Sequence, residues 1–170
     1  PTEPQHPVAS DMNAVTEAWP VESASPKADA EPVQVSVAGD ADARDWQAWI
    51  ERHPQATIYH DWAWRGILAK AFGHRPHFLV ARRGDRVVGV LPLAQVKTLL
   101  FGHALVSLPF CPYAGPLGED REALDALDRH AEALGRALGV DHLEYRSLGE
   151  SHRGWPSQDL YVVFRKPMSA

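Results

Sequence analysis

Three short apolar runs in the middle of the chain predict the centre of a β-sheet. Residues 77–81 form one apolar run and residues 87–93 a second that is rich in β-branched side chains, and the Arg-Gly-Asp at residues 83–85 between them is typical of a hairpin turn. A third run, residues 104–110, follows a connection over residues 97–102. We therefore predict a β-hairpin and a third strand, around which the other elements are arranged.

Three further segments have the spacing of amphipathic helices. The first begins near Asp40 or Asp42 and ends before Pro54, and the second begins near Asp61 and ends at Gly73. The third is long, begins near residue 120 and ends at Gly139. In chain order, their predicted buried faces contain Trp46, Trp49 and Ile50; Trp64, Ile67, Leu68 and Ala71; and Leu124, Leu127, Ala131, Leu134 and Leu138.

Strands are also predicted towards both ends of the chain. Val33, Val35 and Val37 alternate with polar residues, and residues 140–145 and 160–164 are apolar runs of strand length. The order is then strand, two helices, three strands, helix and two strands. Because the long helix joins the third of these middle strands to the next one, we expect a parallel crossover there. The prediction is an α/β fold with a mixed central sheet flanked by helices.

The first 32 residues differ in composition from the rest. They contain six of the fourteen prolines and show neither helical nor strand periodicity, which predicts a disordered leader before a single domain over residues 33–170. They also carry six acidic residues and one lysine, so residues 33–170 carry 16 acidic and 16 basic residues. This balanced charge gives no indication of nucleic-acid or membrane-surface binding.

The compartment is predicted from three features. The single cysteine, Cys111, excludes an internal disulfide and does not indicate an oxidising compartment. No apolar run approaches the roughly 20 residues of a membrane span. The N-terminus lacks the basic and then apolar order of a secretory signal. We expect a cytoplasmic protein without a membrane span.

Four segments resemble the FemAB-like proteins, relatives of the aminoacyltransferases that build peptidoglycan cross-bridges. They are residues 57–64, 71–74, 89–93 with 97–102 after them, and 109–117, and the nearest variety is the one associated with exosortase and exopolysaccharide loci. Residues 159–167 resemble the strand that closes the first of the family's two tandem GNAT-like halves. The resemblance implies a GNAT-like acyltransferase fold for residues 33–170, with the C-terminal GNAT-like half missing from this truncated chain. One departure is Ala114, which stands where the family usually has an arginine.

The resemblance also implies a function. The family forms an amide, so the chain would be the N-terminal half of an acyl- or aminoacyltransferase that acts on a cell-wall or exopolysaccharide-related acceptor. That acceptor would be a small molecule, a glycan or a peptide, and family analogy gives aminoacyl-tRNA as the donor. Because the family's catalytic cleft lies between two halves, this half alone can be inactive. The alternative is a catalytically silent GNAT-like module that binds a partner or serves as a scaffold.

The residues expected to shape the acceptor pocket are polar or aromatic and lie within or near the resembling segments. In the family an acid just after the Gly-Pro pair lies near the substrate, so Asp120 is a candidate base for the attacking amine. The alternative is that Asp120 caps the long helix, which would lower its pKa and make it a poor base. The predicted substrate-binding residues are Tyr59, His60, Lys97, Tyr113 and Arg146.

Neither a coenzyme nor a metal is predicted. Ordinary GNAT enzymes hold the diphosphate of acetyl-CoA with a glycine-rich turn ahead of the long helix. Here residues 109–120 contain three prolines, which lack an N–H group, and end in Glu119 and Asp120, which would repel phosphate. His74 and His77 would need further ligands from elsewhere to bind zinc. Cys111 is expected to be an inert thiol.

Overall fold

A computed structural model describes residues 31–98, 102–147 and 155–157. These residues belong to one compact unit that begins at Glu31. All but the last two residues of the predicted leader, and the whole of the predicted strand at residues 160–164, lie outside the described residues and stay predictions.

The described helices and strands follow the predicted order, with three additional strands between the second and third helices. The helices are α1 (Ala43–Ile50), α2 (Ala63–Ala71) and α3 (Arg121–Leu138), and single 3-10 turns at Asp40–Asp42 and Ile58–His60 precede the first two. The strands are β1 (Gln34–Val37), β2 (Arg75–Pro76), β3 (Leu79–Arg83), β4 (Arg86–Leu91), β5 (Ala94–Thr98), β6 (Gly102–Val106), β7 (Leu117–Gly118) and β8 (His142–Glu144).

The strands form two four-stranded sheets. Their orders are β1-β3-β4-β7 and β2-β5-β6-β8, and the described pairs are antiparallel except β6 with β8. β6 and β8 are parallel and lie on either side of α3 in the sequence, so the predicted crossover through the long helix is confirmed. The hairpin of β3 and β4 is confirmed too, with Gly84 in its turn at a φ of 54°.

The sequence pattern missed β5. The prediction had one strand up to residue 93 followed by a connection, whereas Ala94–Thr98 is a strand that pairs with β6. The chain leaves the first sheet at Pro92 and Leu93, where proline has no N–H group for a ladder. Residues 94–98 escaped notice because they are few and largely polar.

Helices cover both faces of the first sheet. On one face α1 buries Trp46, Trp49 and Ile50, as predicted, and the Trp46 ring stacks on Phe78 at 5.1 Å between centroids. On the opposite face α3 packs Ala123, Leu127 and Ala131 against Leu79, Val88 and Leu91. These two apolar layers form the described core and fix where each end of α3 lies.

The ends of α3 follow the sequence prediction and the buried face of α2 does not. Asp120 caps α3, with its carboxylate accepting from the Ala123 amide at 2.9 Å, and Gly139 ends the helix at a φ of 63°. In α2, Leu68 is buried, but Ile67 and Ala71 are exposed and Trp64 is half-buried. The predicted four-residue face was wrong because α2 contacts mainly the short strand β2 and has no broad sheet face to cover.

We predict that Gly89→Ala destabilises the protein by about 1–3 kcal/mol. A methyl group there would lie 2.9 Å from the Leu117 carbonyl oxygen and 3.2 Å from Leu127, so β7 or α3 would have to move. Gly39→Ala is the matched control, since nothing lies within 4 Å of its added methyl group. Urea unfolding of both variants measures the difference, and equal stabilities would contradict this packing.

Candidate functional site

A gap separates the ends of two parallel strands, β6 and β8, in the second sheet. β6 and β8 pair as far as Val106 and Glu144, and the Ser107 amide still donates to the Glu144 carbonyl at 2.9 Å. In a regular parallel ladder the Arg146 amide would next donate to the main-chain carbonyl of Ser107. Instead it donates to the Ser107 hydroxyl at 2.7 Å. The side chain of Ser107 thus replaces its carbonyl where the strands separate.

Pro109 prevents the ladder from continuing. The next donor to the Arg146 carbonyl would be the amide of residue 109, and proline has none. The chain detours, and the Ala114 amide takes that place at 2.9 Å. Leu108 and Phe110 have φ values of 48° and 73°, a region that non-glycine residues rarely adopt. We call residues 107–116 the excursion.

The excursion is packed into the protein. Leu108, Cys111 and Ala114 are buried in the same apolar cluster as Trp46 and Phe78. Burial raises the pKa of the Cys111 thiol, although the nearby charge of Arg146 opposes the shift, so the predicted inert thiol fits this environment. The excursion therefore fills the strand gap as part of the core.

The connection between α1 and α2 holds the excursion through polar groups. The Thr57 hydroxyl donates to the Tyr113 carbonyl at 3.1 Å. The Thr57 amide donates to Nδ1 of His60 at 3.1 Å, so Nε2 carries the ring proton and donates to the Gly115 carbonyl at 3.0 Å. His60 is 2% exposed, and burial lowers its pKa despite these hydrogen bonds. Both of its ring nitrogens are used within the chain, so the imidazole has none left for a substrate.

Two of the predicted acceptor residues are brought together by this attachment. The rings of Tyr59 and Tyr113, which are distant in sequence, lie 6.2 Å apart in an edge-to-face arrangement, and both side chains are half-buried. Trp64 lies 6.1 Å from Tyr59, and its indole N–H donates to the Ile58 carbonyl at 3.0 Å. We call Tyr59, Tyr113 and Trp64 the aromatic cluster.

The other two predicted acceptor residues lie in different places. Arg146 borders the strand gap, and its Nε donates to Glu144 at 2.8 Å. Lys97 is exposed on β5 opposite His103, about 10 Å along the strand from Ala94, which pairs with the last residue of β6. The structure therefore places Arg146 beside the excursion and Lys97 towards the far end of the β5–β6 hairpin.

Carboxylates surround the start of α3. Asp120, which caps the helix, also pairs with the Arg83 guanidinium at 2.7 Å, and Arg83 reaches Glu122 at 2.5 Å. Arg86 pairs with Glu119, the residue before the cap. Burial raises the pKa of Asp120, but the bonds from Arg83 and the Ala123 amide outweigh it, and the pKa lies below its usual value. The predicted cap is confirmed, and a carboxylate held in this way is a weak base.

Thr57, Ser107 and Arg83 carry much of this geometry and were not singled out by the sequence. Each acts through a partner distant in the chain: Tyr113, Arg146 and Asp120 respectively. Pro109, which lies inside the apolar run predicted as the third strand, was an available signal that the ladder stops there; the strand in fact ends at Val106.

The two histidines considered as metal ligands contact different residues. His74 stacks on Phe110, whereas Nε2 of His77 hydrogen-bonds Oε1 of Gln95 at 3.3 Å. Within residues 31–98, 102–147 and 155–157, no three His, Cys, Asp or Glu side chains are grouped closely enough to hold a metal ion. None of the helices in these same ranges has the length and apolar character that crossing a membrane requires.

Comparison with solved structures identifies the architecture. A GNAT family acetyltransferase from Staphylococcus aureus superposes with a TM-score of 0.53 at 11% identity, over 81% of this chain and 99% of that one. An aminoglycoside 6'-N-acetyltransferase from Acinetobacter haemolyticus gives 0.53 at 16% identity, over 80% and 99% of the two chains. The protein TTHA1254 from Thermus thermophilus gives 0.51 at 15% identity, over 81% and 99%.

The fold is that of the GNAT acetyltransferases. The predicted GNAT-like α/β class is therefore confirmed. No protein-family model and no curated protein matches the sequence. At these identities the likeness concerns the fold alone, and the closer FemAB-like resemblance stays a prediction.

We expect Asp120→Asn and Asp120→Ala to separate the two roles considered for this residue. Asparagine caps helices about as well as aspartate, so Asp120→Asn should lose mainly the partly buried ion pair with Arg83, whereas Asp120→Ala should cost about 1–2 kcal/mol. Thermal unfolding measures both. A larger loss of stability for Asn than for Ala would contradict capping as the main role.

The stability contributed by His60 should depend on pH. Because its pKa is lower in the folded protein than the roughly 6.5 of an unfolded chain, this contribution is complete above about pH 6.5 and is lost as the pH falls below it. His60→Gln cannot titrate, so the stability difference between wild type and variant should narrow from pH 7 to pH 5. Other buried histidines affect both proteins alike and cancel. A difference that widens on acidification, measured by urea unfolding, would contradict the neutral ring.

Proposed function

We propose that this chain is the N-terminal half of a FemAB-like N-acyltransferase that works with a second GNAT-like half in the cytoplasm. The observation that supports the proposal best is the attachment of the excursion by hydrogen bonds from Thr57 and His60. It places Tyr113 beside Tyr59 at the strand gap of a GNAT fold, where two of the residues expected from the resemblance meet. The acceptor of the acyl group would bind at the aromatic cluster.

The aromatic cluster suits an acceptor with a ring or an extended backbone. Half-buried tyrosine and tryptophan rings offer flat apolar faces, and their polar ends offer hydrogen bonds, which together fit a glycan or a peptide. In the proposed reaction the acceptor's amine attacks the ester carbonyl of the donor. A C–N bond forms, the C–O bond breaks, the amine loses a proton and the leaving oxygen departs as an alcohol.

The donor implied by the GNAT fold, an acyl-CoA, does not fit this chain. A diphosphate would be held by free amide groups at the start of α3. Here the Asp120 carboxylate already accepts from the Ala123 amide, and Glu119 and Glu122 add negative charge beside it. The guanidinium groups of Arg83 and Arg86 are engaged by these same carboxylates. We therefore favour an aminoacyl ester, as the FemAB-like resemblance implies, and derive no step through coenzyme A.

A catalytically silent module is the second candidate. The observation in its favour is that the Asp120 carboxylate already occupies the start of α3. A module that has lost catalysis needs no site there for an anionic donor. Such a module would still bind a glycan or peptide at the aromatic cluster, or hold a partner in an exopolysaccharide assembly. The two candidates differ in whether any acyl group is transferred.

Transfer from competing donors tests the proposal. The chain, produced together with the second GNAT-like half that the proposal requires, is incubated with radiolabelled aminoacyl-tRNAs or acetyl-CoA, and with glucosamine or a lysine peptide as acceptor, and labelled amide is counted. We expect product from the aminoacyl esters and none from acetyl-CoA. Transfer from acetyl-CoA would contradict the proposal, and no transfer from either donor would favour the silent module.

Variants of the aromatic cluster should reduce transfer through the acceptor. Tyr59→Ala and Tyr113→Ala should each lower kcat/KM for the acceptor about tenfold or more, since a tenfold change corresponds to about 1.4 kcal/mol of transition-state binding. Tyr59→Phe keeps the ring and should retain most of the rate. Val37→Ala removes an exposed apolar group on β1 and is the control. Equal losses in all variants would exclude an acceptor role for the cluster.

A further inference from the structure

Three aromatic rings stack on the surface, and one of them, Phe110, belongs to the excursion. Phe72 and Phe110 lie 4.7 Å apart with an interplanar angle of 27°, and His74 lies 5.9 Å from Phe110 at 13°. Phe72 is 45% exposed and Phe110 is 64% exposed. We call Phe72, His74 and Phe110 the ring stack. The three rings are nearly parallel, and the two phenylalanine side chains are partly exposed to solvent.

Two features of the ring stack are unfavourable for the stability of the folded protein. Phe110 adopts a φ of 73°, which is strained for a residue with a side chain, and holds a large apolar ring in water. Its neighbours Leu108 and Cys111 already anchor this part of the excursion in the core. Stability alone therefore does not account for the exposed ring, whereas a ligand that covers it would.

Two basic residues without ion-pair partners among the described residues lie close to Phe72 and His74 in the sequence. Residues 62–84 contain five lysines and arginines and no acidic residue. Three of the five, Arg65, Arg82 and Arg83, form ion pairs with aspartates or glutamates elsewhere. The other two, Lys70 and Arg75, are exposed, have no ion-pair partner among the described residues, and lie within two residues of Phe72 and His74 in the sequence. The balanced net charge of the domain conceals this local excess of positive charge.

We propose that the ring stack, with Lys70 and Arg75, binds unpaired nucleotides of single-stranded RNA. Proteins bind such strands by stacking bases on aromatic side chains while basic side chains contact the phosphates, and this surface has both. A surface for apolar protein contact would account for the rings but not for the two exposed cations close to them in the sequence. The link to catalysis rests on the proposed function: if the donor is an aminoacyl-tRNA, the surface would receive its unpaired 3′ end.

Direct binding tests the rings first. Fluorescence anisotropy with a labelled, unstructured RNA of about 12 nucleotides at low salt should show saturable binding that is weaker for the matching duplex. Phe110→Ala should weaken binding about tenfold or more, the effect expected for the loss of one stacked base. Ile58→Ala, which removes an exposed apolar side chain outside the ring stack, should leave it unchanged.

The charges are tested by the salt dependence of the same binding. Lys70→Gln with Arg75→Gln should reduce the slope of log affinity against log salt by about 1.4, since each phosphate contact on a single strand contributes about 0.7. Arg44→Gln with Arg129→Gln removes two arginines from α1 and α3 and is the matched control. Equal changes in the two double variants would mean that binding is not local to the ring stack.

Phe110→Gly keeps this test independent of folding. Glycine adopts a φ of 73° without strain, so this variant should unfold no more easily than wild type and yet lose RNA binding. Absence of saturable binding to wild type at about 100 μM, the weak end of non-specific affinities, overturns the proposal. So does a ring-stack substitution that changes the oligomeric state but leaves RNA binding intact. The RNA carries no aminoacyl group and no acceptor is added, so failure here leaves the test of acyl transfer unaffected.

Discussion

The absence of an N–H group on Pro109 is the constraint on which the rest of this structure depends. It stops the parallel ladder of β6 and β8 two residues after Ser107, whose hydroxyl has taken over from a main-chain carbonyl. Backbone groups inside a protein require partners, so the Arg146 carbonyl must find another donor, and Ala114 supplies it. The residues in between leave the sheet, which places Tyr113 against Tyr59 and Phe110 against Phe72. One missing donor thus determines two surfaces.

Two places where this fold could offer backbone groups to a ligand are used by the chain itself. The excursion occupies the strand gap, and Asp120 occupies the start of α3. A coenzyme could reach these backbone groups only if the intramolecular hydrogen bonds broke. Those hydrogen bonds are supported by core packing at Leu108 and by the ion pairs of Arg83. Chemistry on this scaffold is therefore better sought at the side chains that the excursion presents than at the backbone that it covers.

Local signals in the sequence predicted the helices and most of the longer strands. They could not predict polar contacts between residues that are distant in the chain. Asp120 and Gly139 mark the ends of α3 because capping depends on residues within one turn. The α1 face was predicted because three large apolar residues share one side of a short helix. The face of α2 was not, because its burial depends on the sheet beside it, and β5 was missed because its five residues are largely polar. Tyr59 and Tyr113 were named as candidates from the resemblance, but their contact depends on Thr57 and His60.

Hydrogen exchange at the Ala114 amide tests the filled strand gap most directly. If this amide donates to Arg146 inside the sheet, as the structure shows, its exchange should be as slow as that of the Leu105 amide in β6. The Ser107 amide should behave in the same way, while those of the exposed turn at Gly84 and Asp85 should exchange rapidly. Exchange of Ala114 at the rate of that turn would show that the gap is open and would contradict this account.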